Sequence, residues 1–283
     1  KSYITKVIKL FKDSKAKGYP LYAVVAPSIS GQFGEVTTGQ VVAGMKQMGF
    51  TTVIEAALGA DLVAYQEGKE LVEKGFLTSS CCPAFVSYIY KNFPKLVPNI
   101  SHNLSPMAMI AKMVKRAHPD SKIVFVGPCV AKKGEIKQER VRELVDVTIT
   151  FDAYDVDLPS MEDDVLNNAS YFGRIFARSG GLKDAVEETL KELEIKPEQF
   201  QLKAISCSGL EECKLALLKA SKGILPENFI EGMACEQGCI GGPGCLTHGP
   251  KEKADVDKYG RLALEKKIKD AVVIFDVLGG AED

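Results

Sequence analysis

The sequence predicts an α/β fold with two lobes, each a mainly parallel sheet flanked by helices. Near the start, a buried apolar run at residues 21–27 is followed by a helical pattern at 37–48 and a second apolar run at 51–57. Short apolar runs bounded by Gly and Pro are typical of buried strands. Strand, helix and strand at this spacing indicate a parallel unit, because parallel neighbours need a helical crossover.

The chain is expected to divide near residue 118, where a helix at residues 107–117 ends in a polar turn. We predict a first lobe at residues 1–118, a second lobe at 119–230 and a C-terminal segment with candidate ligands at 231–283. Further strands are predicted from apolar runs at residues 122–128, 145–151, 201–207 and 272–278.

Composition argues against several classes of protein. The 283 residues carry 36 basic and 37 acidic side chains, so no excess of positive charge points to nucleic acid. No apolar run approaches the roughly 20 residues of a membrane span, and we expect a cytoplasmic protein without membrane or nucleic-acid partners. Eight cysteines in a chain of this size indicate metal or redox chemistry rather than disulfides. With three histidines and no CxxC pair, the pattern does not favour zinc.

Cysteines occur in three segments, TSSCCPAF, GPCVAKKGE and EGMACEQGCIGG. Cys129 follows a predicted strand, and ligands gather at the carboxyl ends of parallel strands. Cys235 and Cys239 would share one face if their segment is helical, and the two glycines that follow would leave room for a bulky inorganic group. With Cys82 these residues supply four thiolates, the number that a [4Fe–4S] cluster requires. The alternative is coincidence, and Cys81 is left without a role.

A stripe of ionisable side chains lies on one face of a predicted helix at residues 61–74. It consists of Glu67, Glu70 and Lys74, spaced at helical intervals. A solvated helix face is the common explanation of such a stripe.

The three cysteine segments resemble, in order, the three signature sequences of the catalytic domain of [FeFe]-hydrogenases, and the resemblance covers essentially the whole chain. The family implies an H-cluster: a [4Fe–4S] cubane joined through one cysteine to a diiron subsite with CO, cyanide and a bridging azadithiolate. It also implies a ferredoxin-type enzyme that interconverts protons, electrons and H2, with the cluster in the cleft between the lobes.

The resemblance assigns ligands around the H-cluster. Cys82, Cys129 and Cys235 would hold the cubane, and Cys239 would bridge it to the diiron subsite. Lys132 matches the family lysine that hydrogen-bonds one cyanide, a role that suits a compact ammonium donor.

Other matched positions lie beside the subsite. Ala26, Pro27 and Ser28 match the segment that meets the second cyanide, and Pro128 and Met233 fall on positions next to the subsite. Glu135 matches a family acid near the second motif. Its alternative role is that of a carboxylate favoured at a helix start.

The resemblance also implies a proton relay. Cys81 matches the thiol that passes protons to the bridging amine, Glu67 and Glu70 match two glutamates of the family's proton path, and Ser101 matches its serine. Partial burial would raise the pKa of such carboxylates and make them proton carriers near neutral pH.

Three positions depart from most catalytic members of the family. Gly127 stands where methionine is usual and is expected to leave space beside the subsite. Met107 replaces a glutamine and Phe85 a larger aromatic residue. These departures resemble the divergent, sensory branches of the family, whereas the retained Cys81 favours proton transfer.

Two other functions stay open. One is an H2 sensor of low turnover that signals to a partner. The other is an iron–sulfur assembly or scaffold relative without the diiron subsite, although such relatives lack the cysteine that Cys81 matches. Expected partners are H2 and protons, maturation proteins, and ferredoxin or an upstream iron–sulfur domain as electron donor; an upstream ferredoxin-like region is not part of these residues. The remaining cysteines are expected to be small buried residues, with an additional redox or metal site as the alternative: Cys207, Cys213 and Cys245.

Overall fold

The computed structural model describes residues 3–151 and 157–277. The strands are β1 (Leu21–Val25), β2 (Thr52–Glu55), β3 (Leu77–Thr78), β4 (Lys122–Val126), β5 (Val147–Ile149), β6 (Ala204–Ser208) and β7 (Phe229–Met233). The helices are α1 (Ile4–Lys17), α2 (Thr38–Met48), α3 (Ala56–Lys74), α4 (Pro83–Asn92), α5 (Pro106–Ala117), α6 (Lys132–Glu135), α7 (Tyr171–Ile175), α8 (Gly181–Glu192), α9 (Leu210–Ser221), α10 (Lys251–Arg261) and α11 (Ile268–Val277).

Two parallel sheets carry the fold. The first has the order β2-β1-β4-β5 and the second the order β3-β7-β6, and every pairing in both is parallel. β1 is buried along its whole length, as expected of a central strand covered by helices on both faces. The predicted α/β fold with parallel sheets flanked by helices is confirmed.

The sheets do not follow the predicted division of the chain near residue 118. β4 lies after that point but pairs with β1, with Val24 opposite Phe125. β3 lies before it but pairs with β7. Strand pairing therefore crosses the predicted boundary, because β4 is an inner strand of the first sheet, between β1 and β5.

Helix α3 lies at the centre of the molecule. It begins directly after β2 and is rich in Ala and Gly, which lets its neighbours approach closely. A side chain at Gly59 would collide with the carbonyl oxygen of Pro106 at the start of α5. At its other end the helix stops at Gly75, which adopts the left-handed conformation with φ of 75°.

A buried ion pair joins the first sheet to α7 and α10. Arg174 donates from Nε and Nη2 to the two carboxylate oxygens of Glu55, at 2.8 Å each. The hydroxyl of Tyr259 donates to Glu55 Oε2 at 2.7 Å, and the guanidinium lies over the Tyr259 ring, 4.2 Å from its centroid. Because each charge is matched by a partner, the cost of burying the pair is offset.

The prediction of an edge strand at residues 272–278 is wrong. Residues 272–277 belong to α11, and Leu278 lies outside the described residues. Ile268, Ala271, Val272 and Phe275 are buried while Val273 and Ile274 are exposed, which is a helical period. A short apolar run does not distinguish a strand from a helix by itself. No helix in the described part of the chain is long and apolar enough to cross a membrane.

Candidate metal centre

The carboxyl ends of strands from both sheets border one cavity of about 80 Å³. Pro27 follows β1, Cys82 follows β3, Cys129 follows β4, and Met233 ends β7; all four line the cavity. Parallel strands place their carboxyl ends at one edge of a sheet, so the loops that follow them can face a common site. This arrangement explains how segments far apart in sequence meet.

Three of the four predicted ligand thiols lie on the wall of this cavity, and the fourth, Cys235, lies close enough to feel their charges. Cys82, Cys129 and Cys239 line it. Burial, followed by the charges of Cys82 and Cys129, raises the pKa of Cys235 to about 11. Burial and then the charges of Cys129, Cys82 and Cys235 raise the pKa of Cys239. Each of the four sulfurs is therefore within electrostatic range of the others.

The four thiols are candidate ligands of a cluster rather than of a single ion. In the described part of the chain, no group of three or more His, Cys, Asp or Glu side chains could hold one ion. A [4Fe–4S] cluster is larger and is held by four cysteine thiolates. Binding iron deprotonates the thiols and replaces their mutual repulsion with attraction. The donor set therefore fits such a cluster.

Lys132 brings a buried ammonium group to the same cavity. Its Nζ donates to Glu135 Oε2 at 2.6 Å and to the carbonyl oxygen of Cys81 at 3.4 Å. Burial lowers the pKa of Lys132, but the charges of Glu135 and Cys129 outweigh it, and the net shift is upward. Lys132 is thus a fixed, charged donor, and Glu135, in the first turn of the four-residue helix α6, is its ion-pair partner.

The turn after β1 holds an unsatisfied buried hydroxyl. Ala26 and Pro27 line the cavity, and the next residue, Ser28, is 1% exposed. Its Oγ has no hydrogen-bond partner in the described structure. A buried polar atom without a partner is costly unless a ligand completes its hydrogen bond. The site therefore fits an acceptor group beside this turn.

A chain of buried polar groups begins at Cys81 on the cavity wall. Burial, and then the charge of Glu67, raises the pKa of the Cys81 thiol. Glu67 is 0% exposed, and its Oε1 accepts from the backbone N of Ser80 at 3.2 Å. Burial raises the pKa of Glu67 to about 7, although hydrogen bonding by Ser101 and Ser80 acts in the opposite direction. The interpretation of this stripe as a solvated helix face is wrong for Glu67.

The chain continues to Glu70 at the surface. Ser101 Oγ donates to Glu70 Oε2 at 3.1 Å. Lys74 Nζ lies 2.7 Å and His102 Nδ1 3.3 Å from Glu70 Oε1. The Glu70 side chain is 13% exposed and His102 78% exposed, and both border a groove of about 530 Å³. The four residues predicted for the relay therefore lie in the predicted order, from cavity to solvent.

The segment around Cys235 and Cys239 is not helical, so the i and i+4 argument for these two cysteines is wrong. β7 ends at Met233, and the chain turns at Gln237 and Gly238, both with positive φ, before a 3₁₀ turn at Cys239–Gly241. The glycines also serve a different purpose from the one expected. A side chain at Gly241 would meet the Glu236 carbonyl oxygen, so this glycine permits tight folding of the turn rather than room for a cofactor.

The space expected beside Gly127 is already filled. A Cβ atom at this position would lie 2.7 Å from the Phe125 ring and 3.0 Å from Ala26 Cβ. Phe125 itself lines the cavity. Sequence reasoning missed this residue, although Gly127 directly follows β4 and lies two residues after Phe125, a spacing that places both on one face.

Glu231, also missed, fixes the approach to Cys235. It is fully buried in β7, and its carboxylate accepts from Gly180 N at 2.9 Å, Lys183 N at 3.1 Å and Ser206 Oγ at 2.8 Å. A buried glutamate in a strand next to a cysteine motif was the available signal, because buried carboxylates need several partners.

The three remaining cysteines pack against other residues or donate hydrogen bonds to backbone carbonyl groups. Cys207 and Cys213 are buried in an apolar cluster between β6 and α9. The Cys213 thiol donates to the Met233 carbonyl at 3.6 Å. Cys245 is half-buried, and its thiol donates to the Ile240 carbonyl at 3.2 Å. These contacts agree with the expectation of small packed residues at positions 207 and 213.

The sequence profile described as iron only hydrogenase large subunit, C-terminal domain, matches residues 19–243. The chain belongs to this family. Structurally, this iron-only hydrogenase relative superposes on a variant of the [FeFe]-hydrogenase HydA1 from Chlamydomonas reinhardtii with a TM-score of 0.79, at 19% identity over 99% of this chain and 95% of the other. That likeness establishes the fold.

Curated relatives of this iron-only hydrogenase family member fall into two groups. The periplasmic [Fe] hydrogenase large subunit of Nitratidesulfovibrio vulgaris is 29% identical over 86% of this chain and 72% of its own length. Iron hydrogenase 1 of Clostridium pasteurianum is 28% identical over 83% of this chain, which spans 52% of that protein. The cytosolic Fe-S cluster assembly factor NAR1 of Candida dubliniensis is 37% identical, but over 25% of this chain and 13% of its own length.

Proposed function

We propose that this chain is the catalytic domain of an [FeFe]-hydrogenase that interconverts protons plus electrons with H2. The observation that carries the proposal is the chain of polar groups from Cys81 through Glu67 and Ser101 to Glu70, which begins at the cavity that Cys82, Cys129 and Cys239 line. A protein that only stored or transferred an iron–sulfur cluster would not need a proton path to that cavity.

The residues divide into those that would hold the cofactor and those that would serve the reaction. Cys82, Cys129 and Cys235 would hold a [4Fe–4S] cubane, and Cys239 would bridge it to a diiron subsite with CO, cyanide and azadithiolate. When bound, that H-cluster would pass electrons between an external partner and the open metal position at which H2 is made or split. Its cyanide ligands would find donors in the Lys132 ammonium and in the unpartnered hydroxyl of Ser28. Pro128 and Met233 would pack against it.

The proton would travel by short steps between groups that are already near one another. Cys81 sits at the cavity wall and would exchange a proton with the site. Glu67, with a pKa near 7, gains or loses a proton at little cost near neutral pH. Ser101 would hand the proton on to Glu70, and His102 and Lys74 connect Glu70 to solvent. Lys132 would remain charged and orient ligands rather than transfer protons.

A sensor of H2 with the same cofactor is the second candidate, favoured by Met107 on the cavity wall. The second argument for it, empty space beside Gly127, is weaker now that Phe125 occupies that space. An assembly-factor function is supported by matches to cytosolic Fe-S cluster assembly factors such as NAR1. The Cys81 relay argues against it.

The test is a pair of measurements on the chain loaded with a synthetic diiron subsite under strict anoxia. Infrared bands of CO and cyanide report whether the subsite is bound, and H2 evolution from reduced methyl viologen reports turnover. We expect both, and we expect Cys81→Ala to lower H2 evolution at least about 100-fold while the bands remain. Cys207→Ala, which removes a buried thiol away from the cavity, is the matched control. Bands without H2 would favour the sensor, and absence of bands would favour the assembly factor.

Electron donors and maturation proteins are further parts of the proposal. Cys235 is half-buried, and the next two residues, Glu236 and Gln237, are exposed. A ferredoxin or a linked iron–sulfur domain docking there would come close to the cubane. The diiron subsite would be delivered by dedicated maturation proteins.

A further inference from the structure

We propose that Phe125, and not a side chain at position 127, sets the size of the pocket that would receive the diiron subsite. The role of the pocket rests on the proposed function, but the packing of Phe125 against Gly127 does not depend on any cofactor. Phe125 and Gly127 are two residues apart at the carboxyl end of β4, so they face the same side of the sheet. The Phe125 ring lines the cavity and is 4% exposed.

The two positions exclude each other. A Cβ atom on residue 127 would lie 2.7 Å from both Cε1 and Cζ of Phe125 and 3.0 Å from Ala26 Cβ. Carbon atoms in contact normally lie about 3.5–4.0 Å apart. A side chain at 127 therefore requires the ring to move, and a ring at 125 requires glycine at 127.

The ring has little freedom to move away. β4 is an inner strand, hydrogen-bonded on one side to β1, where Val24 pairs with Phe125, and on the other to β5, where Phe125 pairs with Thr148. Pairing on both sides fixes the backbone of Phe125. The ring is rigid and apolar, and it forms part of the wall of the cavity that Pro128 also lines.

The size of the cavity should therefore depend on the side chain at position 125. Removing the ring should open a dry apolar space next to Gly127, and such spaces bind xenon. Placing methionine at 127 in the same chain should refill it. Diatomic molecules such as CO should reach the pocket more readily when the ring is absent.

The first test uses crystals of the full chain, without the diiron subsite, under xenon pressure. Phe125→Ala should show a xenon atom in the space that the ring fills in the unchanged chain, beside Ala26 and Gly127, and the double variant Phe125→Ala/Gly127→Met should lose that atom. Xenon at this position in the unchanged chain, or none at this position in Phe125→Ala, would overturn the proposal.

Thermal unfolding provides a second test that does not need crystals. Gly127→Met alone should lower the unfolding midpoint, and adding Phe125→Ala should recover part of that loss. Gly134→Met is the matched control, because nothing lies within 4 Å of a Cβ atom at Gly134. A double variant whose midpoint drops by the sum of the two single losses would contradict the steric exclusion.

The loaded protein supplies the functional measurement. We expect CO to bind Phe125→Ala roughly tenfold more tightly than the unchanged chain, read from the infrared bands, since small changes in an apolar pocket alter selectivity by at least that factor. Unchanged CO affinity would remove the functional part of the proposal. If the infrared bands of the subsite are absent altogether, the proposed function fails, whereas the xenon and unfolding results still decide the role of Phe125.

Discussion

Glu67 provides a prediction about stability that needs no cofactor. Its side chain is fully buried, and burial raises its pKa from 4.5 to about 7. The unfolded chain releases the Glu67 proton near pH 4.5, whereas the folded chain keeps it until about pH 7. The folded state thus binds more protons between these values, so its stability falls as pH rises through them.

The expected size follows from the shift. A rise of the Glu67 pKa from 4.5 to about 7 lowers the free energy of unfolding by about 3 kcal/mol at high pH. This loss is absent below pH 4.5 and complete above pH 7. Glu67→Gln removes the titrating group. The difference in unfolding free energy between Glu67→Gln and the unchanged chain should therefore grow in favour of the variant by about 3 kcal/mol from about pH 4.5 to about pH 8.

Denaturant unfolding at a series of pH values measures this difference directly. Asp61 is also buried with a pKa raised to about 7, and it contributes to the pH dependence of both proteins. It therefore cancels in the comparison. Glu73→Gln, an exposed change on the same helix, controls for the loss of one negative charge. A flat difference for Glu67→Gln would show that Glu67 does not titrate as a buried acid, and the proposed relay would lose its central carrier.

Three further predictions concern packing and ligation. Glu55→Gln should lower the free energy of unfolding by about 3–5 kcal/mol, because the buried Arg174 charge loses its partner. Gly59→Ala should cost about 1–3 kcal/mol, since its methyl group would press on the Pro106 carbonyl and separate α3 from α5. Cys235→Ala should leave the chain folded after anaerobic reconstitution but abolish the full complement of four cluster irons, measured by iron analysis and visible absorbance.

Each of these three has a control or a contrary outcome. Arg174→Met combined with Glu55→Gln should be less harmful than Glu55→Gln alone, because no charge is then stranded; an additive loss would contradict the pairing. Gly134→Ala should be neutral or slightly stabilising, as expected of a helical glycine with open space around it. Normal iron content in Cys235→Ala, equal to that of Cys207→Ala, would remove Cys235 from the ligand set.

Much of the fold was predictable because the periodicity of apolar residues indicates helices and strands from neighbouring residues alone. The apolar runs of β1 and β4 and the helical pattern before β2 were found at nearly their observed positions. The pairing of β4 with β1 was not predictable, because the sequence does not say to which sheet a buried strand adds. The strand expected at residues 272–278 was wrong for a related reason, since its helical burial pattern depends on neighbours far along the chain.

Some residues of the candidate site could likewise be predicted from the sequence and others could not. The four cysteines and Lys132 are chemically distinctive, so sequence motifs found them. Phe125 is an ordinary apolar residue, and its contact with Gly127 depends on side-chain packing that no pattern records. The Glu67 stripe was ambiguous until burial separated a fully enclosed carboxylate from the partly exposed Glu70.

The parallel strands that end at the cavity have a consequence for the positions of the candidate ligands. Each cysteine segment is anchored by ladder pairing within its own sheet or by the Glu231 contacts, and none of these anchors involves iron. The positions of the candidate ligands therefore depend on contacts that the polypeptide supplies itself, so a substitution in β7 that touches no cysteine is expected to displace them.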